Sequence, residues 1–281
     1  MVQFLAGLIE MAKPKVFVIG GAGSIGSELV KQLSIKNDVI AIDIDETGLF
    51  DLNTRKINPE IGNIRDYRRM RELFELYKPD IVFNAAAYKH LSHYEKENFS
   101  ELIETNVNGM INVLRLVKEF KVKKFVFIST DKAVNPTSLM GTTKLIGEIM
   151  TRRCGHIAVR FGNVLGSRGS VIPIWQRQIE MGNAITVTDT KMERFFMSIQ
   201  EACELVIEAS KIGKGGEIFI LDMGKPIKII DLATKIIKES GRDIKIVITG
   251  AKQGEKLNEE LMTQDEKLKS IKRGKLYVIK G

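Results

Sequence analysis

Residues 15–33, KVFVIGGAGSIGSELVKQL, set a β-branched run, a glycine cluster and an amphipathic run in immediate succession. KVFVIG has the composition of a strand, and SIGSELVKQLSIK that of a helix with Ile25, Leu29 and Leu33 on one face. Between them Gly20, Gly23 and Gly26 stand at Gly-x-x-Gly-x-x-Gly spacing. Glycines allow a tight turn there and let backbone approach a pyrophosphate, whose charge sits on the N-terminus of the following helix. Such a pattern alone is weak evidence, but its place between a strand and a helix makes it a dinucleotide-binding turn, with Ser24 and Ile25 also against the cofactor. Seventeen residues after Gly26, Asp43 closes the run VIAID. An acid at that address bonds ribose hydroxyls and repels a 2′-phosphate, which favours NAD over NADP, and Asp45 and Glu46 add negative charge nearby.

Outward from this unit the alternation continues. VIAID is the second strand, IVFNAA the third, with the helix YRRMRELFELY before it. A helix near SELIETNVNGMINVLRLVKEF leads to the strand KFVFIST, the helix SLMGTTKLIGEIMTRR and the strand HIAVRFGNVLG. Repetition of strand, helix, strand forces right-handed crossovers and predicts an α/β fold, a Rossmann-type doubly wound parallel sheet. After residue 165 the pattern loosens into a smaller C-terminal α/β substrate-binding part. The expected division is 1–165 for the NAD(P)-binding domain and 166–281 for the substrate-binding domain, interlaced across a soft boundary. Ligands of such sheets bind at the carboxyl ends of the strands. Asn63 and Ile64 in IGNIRDY and the small residues Ala85, Ala86 and Ala87 after the third strand are therefore expected along the cofactor.

The bulk numbers agree with a soluble globular protein: 44% hydrophobic and 28% charged residues over 281 positions exclude a disordered chain. Net charge is +8, yet lysines lie beside acids, as in TQDEKLKSIKRGK, so a solvated basic surface is expected and no nucleic-acid partner. Cys154 and Cys203 form no framework and read as buried thiols of a cytoplasmic protein. MVQFLAGLIEM has eleven residues, short of the roughly twenty needed to span a bilayer, so no integral membrane segment is expected. His90 and His93 lack companions at metal spacing, and no metal site is expected.

The chemistry is expected within residues 125–148, FVFISTDKAVNPTSLMGTTKLIGE. Thr130, Asp131 and Lys132 close a strand at the cleft, and Met140 and Lys144, four apart, share one helix face. Lys144 would hold the nicotinamide ribose and lower nearby pKa values by its charge. Each of these residues, taken alone, could be an ordinary surface residue; their address at the cleft separates them from that reading.

Five stretches, STDKAVNPTSLMGTTK, VRFGNVLGSRGSVIP, ITVTD…MERFFM, GGEIFILDMGKPIKI and GAKQGEKLNEEL, carry a resemblance over residues 16 to about 264. They resemble the extended short-chain dehydrogenase/reductase group of nucleotide-sugar 4,6-dehydratases, the CapD type of polysaccharide biosynthesis protein, whose branch commonly has methionine where relatives have tyrosine. Membrane-anchored members carry a long N-terminal region; this chain matches their catalytic part. The resemblance implies an internal redox cycle on a UDP-sugar, most specifically UDP-N-acetylglucosamine: NAD takes hydride from C4, water leaves across C5 and C6, and hydride returns to C6. By matching position Lys132 is the base at C5 and Asp131 the acid at the C6 hydroxyl. The proton of the C4 hydroxyl, which the Met140 thioether cannot accept, would pass to Thr130 through water, to Lys144 or to the cofactor ribose, with Lys144 and water preferred. Lys89, Arg160, Asn163, Arg168, Arg194 and Lys252 are the expected contacts for the anionic sugar nucleotide. A UDP-sugar 4-epimerase, a dehydratase/5-epimerase and a non-catalytic nucleotide-binding module are the alternatives. The resemblance also implies a homo-oligomer.

Overall fold

The computed structural model describes residues 13–52, 57–90, 98–251 and 254–280. Its centre is a nine-stranded sheet. Six strands carry labels here: β1 (Lys15–Ile19), β2 (Asp38–Asp43), β3 (Ile57–Ile61), β4 (Ile81–Asn84), β5 (Lys124–Ile128) and β6 (Ile157–Arg160). They run in the order β3-β2-β1-β4-β5-β6, all parallel, and Ile218–Leu221 continues the parallel set beside β6. Leu276–Ile279 and Ile271–Arg273 close that edge antiparallel. The chain reverses its direction of winding between β1 and β4, so the crevice beyond their carboxyl ends is the natural ligand site.

Both faces are covered, and β1 shows how. Val16 and Val18 point into a core with Leu29 and Val30 of α1 (Ser24–Leu33), whereas Phe17 and Ile19 pack with Met70, Phe74 and Val113 on the other face. A period of two in a strand buried on both sides produces that split. A separate cluster around Trp175, Ile185, Val187, Ile229 and Ala233 forms the smaller unit. There the helices Val171–Glu180 and Ile229–Ser240 pack with the parallel pair Ile185–Val187 and Ile246–Ile248. The segments after residue 165 thus divide between two places: Ile199–Ile212 packs on α1, Ile218–Leu221 and the terminal hairpin extend the main sheet, and the rest builds the smaller unit.

Two expectations change, the strand number of IVFN and the burial of Cys154, and one element is added. IVFN is the fourth strand, because Ile57–Ile61, INPEI, precedes it at the sheet edge. Pro59 and Glu60 mask that strand in the sequence, and an edge position tolerates the missing donor. The lysine-rich tail holds a capped helix, Gln264–Lys269, as well as the hairpin. Cys154 is exposed at the end of Leu139–Arg153, while Cys203 is buried and its thiol is pushed up to about 12 by burial. Among the described residues no helix is long and apolar enough to cross a membrane.

Candidate active site

The glycine turn is held from three sides. Gly20 has φ +80°, its N–H and that of Gly21 donate to Ile42 O at 2.8 and 3.0 Å, and a Cβ on Gly20 would come 2.5 Å from Ala86 N. A Cβ on Gly26 would collide with Gly20 O. The turn after β1, the turn after β4 and the start of α1 therefore touch as bare backbone. Gly23 caps α1 without a side-chain bond, leaving first-turn N–H groups of the helix open to an anion. Asp43 organises the turn: one carboxylate oxygen accepts from Ala22 N at 2.9 Å, the other from Ile44 N and Asp45 N at 2.7 and 3.1 Å. Gly20, Gly23, Asp43, Asn63, Ile64 and Ala85–Ala87 line a cavity of about 250 Å³. Bare backbone, open amides and an acid at its far wall fit an NAD molecule.

Ala85 and Ala87 also line a second cavity, of about 980 Å³, so the two spaces are continuous neighbours. Ile25, Ser129, Thr130, Lys132, Met140 and Lys144 face it. Lys144 Nζ donates to Ile128 O at 2.9 Å and lies 4.8 Å over the Phe127 ring. Burial lowers its pKa to about 8 against the smaller opposing effect of Glu148 one turn on. Lys132, 20% exposed at its side chain, donates to Asp131 Oδ1 at 2.9 Å and to Asn163 Oδ1 at 3.4 Å, and stands 3.8 Å from Glu259 Oε1. Burial alone would lower its pKa; the two carboxylates outweigh that and hold it above the ordinary lysine value. Thr130 donates to the same Asp131 oxygen at 2.9 Å.

Asp131 itself is fully buried and does not line the cavity, so it stands behind Lys132 and Thr130. The sequence-based placement of this acid at the cleft is corrected accordingly: its two neighbours face the cavity and it does not. Arg160 is a second correction. Its guanidinium is 1% exposed and forks onto Glu148 at 2.9 and 2.5 Å, with a further bond to Glu266 at 2.9 Å, inside the protein and away from both cavities. Arg168 is a third: it lies over the glycine turn, lines the smaller cavity, pairs with Asp45 at 2.9 Å and donates to Ala22 O, while its N–H donates to Ser24 Oγ. It belongs to the cofactor side. Lys89, Asn163 and Arg194 line the larger cavity, and burial lowers the Lys89 pKa. Lys252 and His93 lie outside the described residues, as does the N-terminal MVQFLAGLIEM. Among the described residues no cluster of His, Cys, Asp and Glu could hold a metal.

Sequence reasoning missed several supports. Glu148 accepts from Ser129 Oγ at 2.6 Å and from Arg160, tying the Lys144 helix to β6 and the tail. Asn106, buried in a π-helical stretch (Glu104–Gly109), bonds both the N–H and the O of Tyr88 and donates to Thr143 Oγ1. Glutamate inside an apolar helix face was a visible signal; the π stretch had none. GEKLNEEL braces the loop after β5: Lys256 donates to Val134 O at 2.6 Å, Asn135 to Glu260 at 2.9 Å, and Glu259 faces Lys132.

Residues 16–281 match the family described as "Polysaccharide biosynthesis protein". The chain is 43% identical over 92% of its length to the capsular polysaccharide biosynthesis protein CapD of Staphylococcus aureus, of which it spans 46%. It thus covers about half the length of that curated relative. It is 34% identical over 90% of its length to the UDP-N-acetylglucosamine 4,6-dehydratase (inverting) of Campylobacter jejuni, covering 79% of that protein. A UDP-glucose 4-epimerase of Rickettsia akari is equally distant, at 34% over 94% of this chain and 82% of its own. Among solved structures, Pen from Bacillus thuringiensis superposes with a TM-score of 0.90 at 40% identity, over 96% of this chain and 89% of that one.

Proposed function

This chain belongs to the polysaccharide biosynthesis protein family of extended short-chain dehydrogenase/reductases, and on that premise we propose that it is an NAD-dependent 4,6-dehydratase of UDP-N-acetylglucosamine. The observation that carries the reading is Lys132 on the wall of the larger cavity, backed by buried Asp131 and sharing that cavity with Met140 and Lys144. Epimerisation at C4 needs no proton group at C5 or C6, whereas elimination needs both.

NAD held by the glycine turn, Asp43 and Arg168 would supply the acceptor for the C4 hydride and its return to C6. The protein's own residues handle protons. With a pKa of about 8, Lys144 is free amine to about one tenth at pH 7, against a trace for an ordinary lysine, and takes the C4 hydroxyl proton through a water. Met140 packs the place a phenol would occupy and takes no part in the transfer. The resulting C4 carbonyl acidifies C5, Lys132 takes that proton as it passes one of its own to Asp131, and Asp131 returns a proton through Lys132 or Thr130 to the departing C6 hydroxyl. Arg194 and Lys89 offer positive charge, and Asn163 an amide, to the UDP-sugar. NAD and nucleotide sugars place the reaction in the cytoplasm. A homo-oligomer is part of the proposal, with the exposed Ile111 and Ile149 as apolar surface available to it, and light scattering would read it as a multiple of 31.6 kDa.

The test is incubation with NAD and UDP-N-acetylglucosamine in deuterated water. A product lighter by one water and deuterated at C5 is the expected result. An isomer of unchanged mass would make it an epimerase, and no product would leave only nucleotide binding.

A further inference from the structure

Lys132 lines the larger cavity, and two carboxylates that do not reach its wall stand behind it. Asp131 is fully buried and the Glu259 side chain is 4% exposed. Each has one oxygen in contact with Lys132 and one, Asp131 Oδ2 and Glu259 Oε2, with no hydrogen-bond partner. Buried carboxylate oxygens without protein donors are costly and call for an explanation, of which handling a proton is one. The remaining charge facing this lysine is Arg194, buried on the adjacent short strand and bonded to Leu257 O beside Glu259. Lys132, Arg194 and Asp131 alone would carry a net positive charge, and a proton taken from C5 would raise it further inside the protein. Glu259 makes the centre two cations and two carboxylates, neutral before that proton arrives and a single cation after it.

We infer that Glu259 is a positioning residue for the C5 proton step, acting through Lys132 to give the buried centre room for one more proton. The inference rests on the dehydratase reading. As the C5–H bond breaks, its electron pair moves onto the C4 carbonyl oxygen as an enolate. The proton enters at Lys132 while one of that ammonium's own protons passes to a carboxylate behind it. The enolate pair then expels the C6 hydroxyl, which takes a proton from the same centre and leaves as water. The centre ends with the protons it began with.

Two measurements test this on the full-length protein. The first is the pH midpoint for acylation of individual lysines by acetic anhydride, followed by peptide mass spectrometry; it needs no turnover. In wild type Lys132 should label only at pH well above the midpoint of Lys144, and Glu259→Gln should lower the Lys132 midpoint by about one pH unit. The second is turnover: Glu259→Gln should lose kcat by ~10-fold or more with KM within ~2-fold, and Glu259→Asp, which restores the charge, should recover part of it. A Lys132 midpoint unmoved by Glu259→Gln overturns the inference. So does a wild-type midpoint at or below that of Lys144, which decides the matter even if the variant fails to fold. Wild-type protein that forms no 4-keto-6-deoxy product would instead overturn the dehydratase reading and leave the labelling result intact.

Discussion

Two lysines in one cavity have opposite electrostatic surroundings. Lys144 is buried, and the lost hydration outweighs its carbonyl, aromatic face and Glu148, so its ammonium is destabilised; Lys132 has two carboxylates, so its ammonium is favoured. If free Lys144 is the base for the C4 hydroxyl, kcat/KM should rise with pH and level off above about 8, because the neutral amine forms as pH passes its pKa. Lys144→Ala should remove that limb and lower the rate of hydride transfer by ~100-fold, read as cofactor absorbance in a single turnover. Met140→Leu, by contrast, keeps volume and apolarity at a position 4% exposed. Its kcat should stay within ~3-fold of wild type, since a thioether moves no proton. Why Lys132 follows directly on Asp131 is also plain at this scale: a short 3-10 turn, Asp131–Ala133, sends the first side chain inward and the second to the cavity.

Among the elements, α1 and the helix Leu139–Arg153 each depend on close backbone approach. Gly26→Ala would drive a methyl group into Gly20 O, displacing the turn that receives the cofactor. Binding of NAD by calorimetry should fall by ~10-fold or more, the N-terminal amides no longer converging on one point. Gly141 makes the same demand against Lys132 O, which holds the Met140–Lys144 face over the catalytic turn. The other end of that helix is tied by Glu148. Removing it as Glu148→Ala strands the Arg160 guanidinium, 1% exposed, with only part of its pairing. Loss of one partner from a buried ion pair costs about 3–5 kcal/mol, so urea unfolding should show a drop of that order. The tested quantity is stability; the lysine chemistry should suffer only as the helix shifts.

Across the whole molecule, the carboxyl ends of β1, β4, β5 and β6 and a tail more than a hundred residues later meet at one cleft. The terminal hairpin is structural cladding of that arrangement: Leu276–Ile279 pairs along all of Ile218–Leu221 and covers the sheet edge beyond β6. Deleting residues 270–281 should expose Phe219 and Ile220, both buried, along an unpaired edge, and the shortened protein should aggregate on gel filtration.

Local pattern determined much of this. The glycine turn, Asp43, the alternation of strands and helices, and the Thr130–Lys144 stretch were legible because each depends on spacing within one or two elements. Parallel strands joined by helices put all their carboxyl ends along one edge, so the cleft could be located too. Tertiary structure alone decided what faces what. Arg160, Arg168 and Arg194 are indistinguishable cations in sequence, yet one is buried in an ion cluster, one lies over the cofactor turn and one lines the large cavity. Asp131 stands behind Lys132, and Glu259 arrives from 127 positions along the chain. Burial, and the charge a group feels, are sums over neighbours distant in sequence, and those sums exist only once the chain has folded.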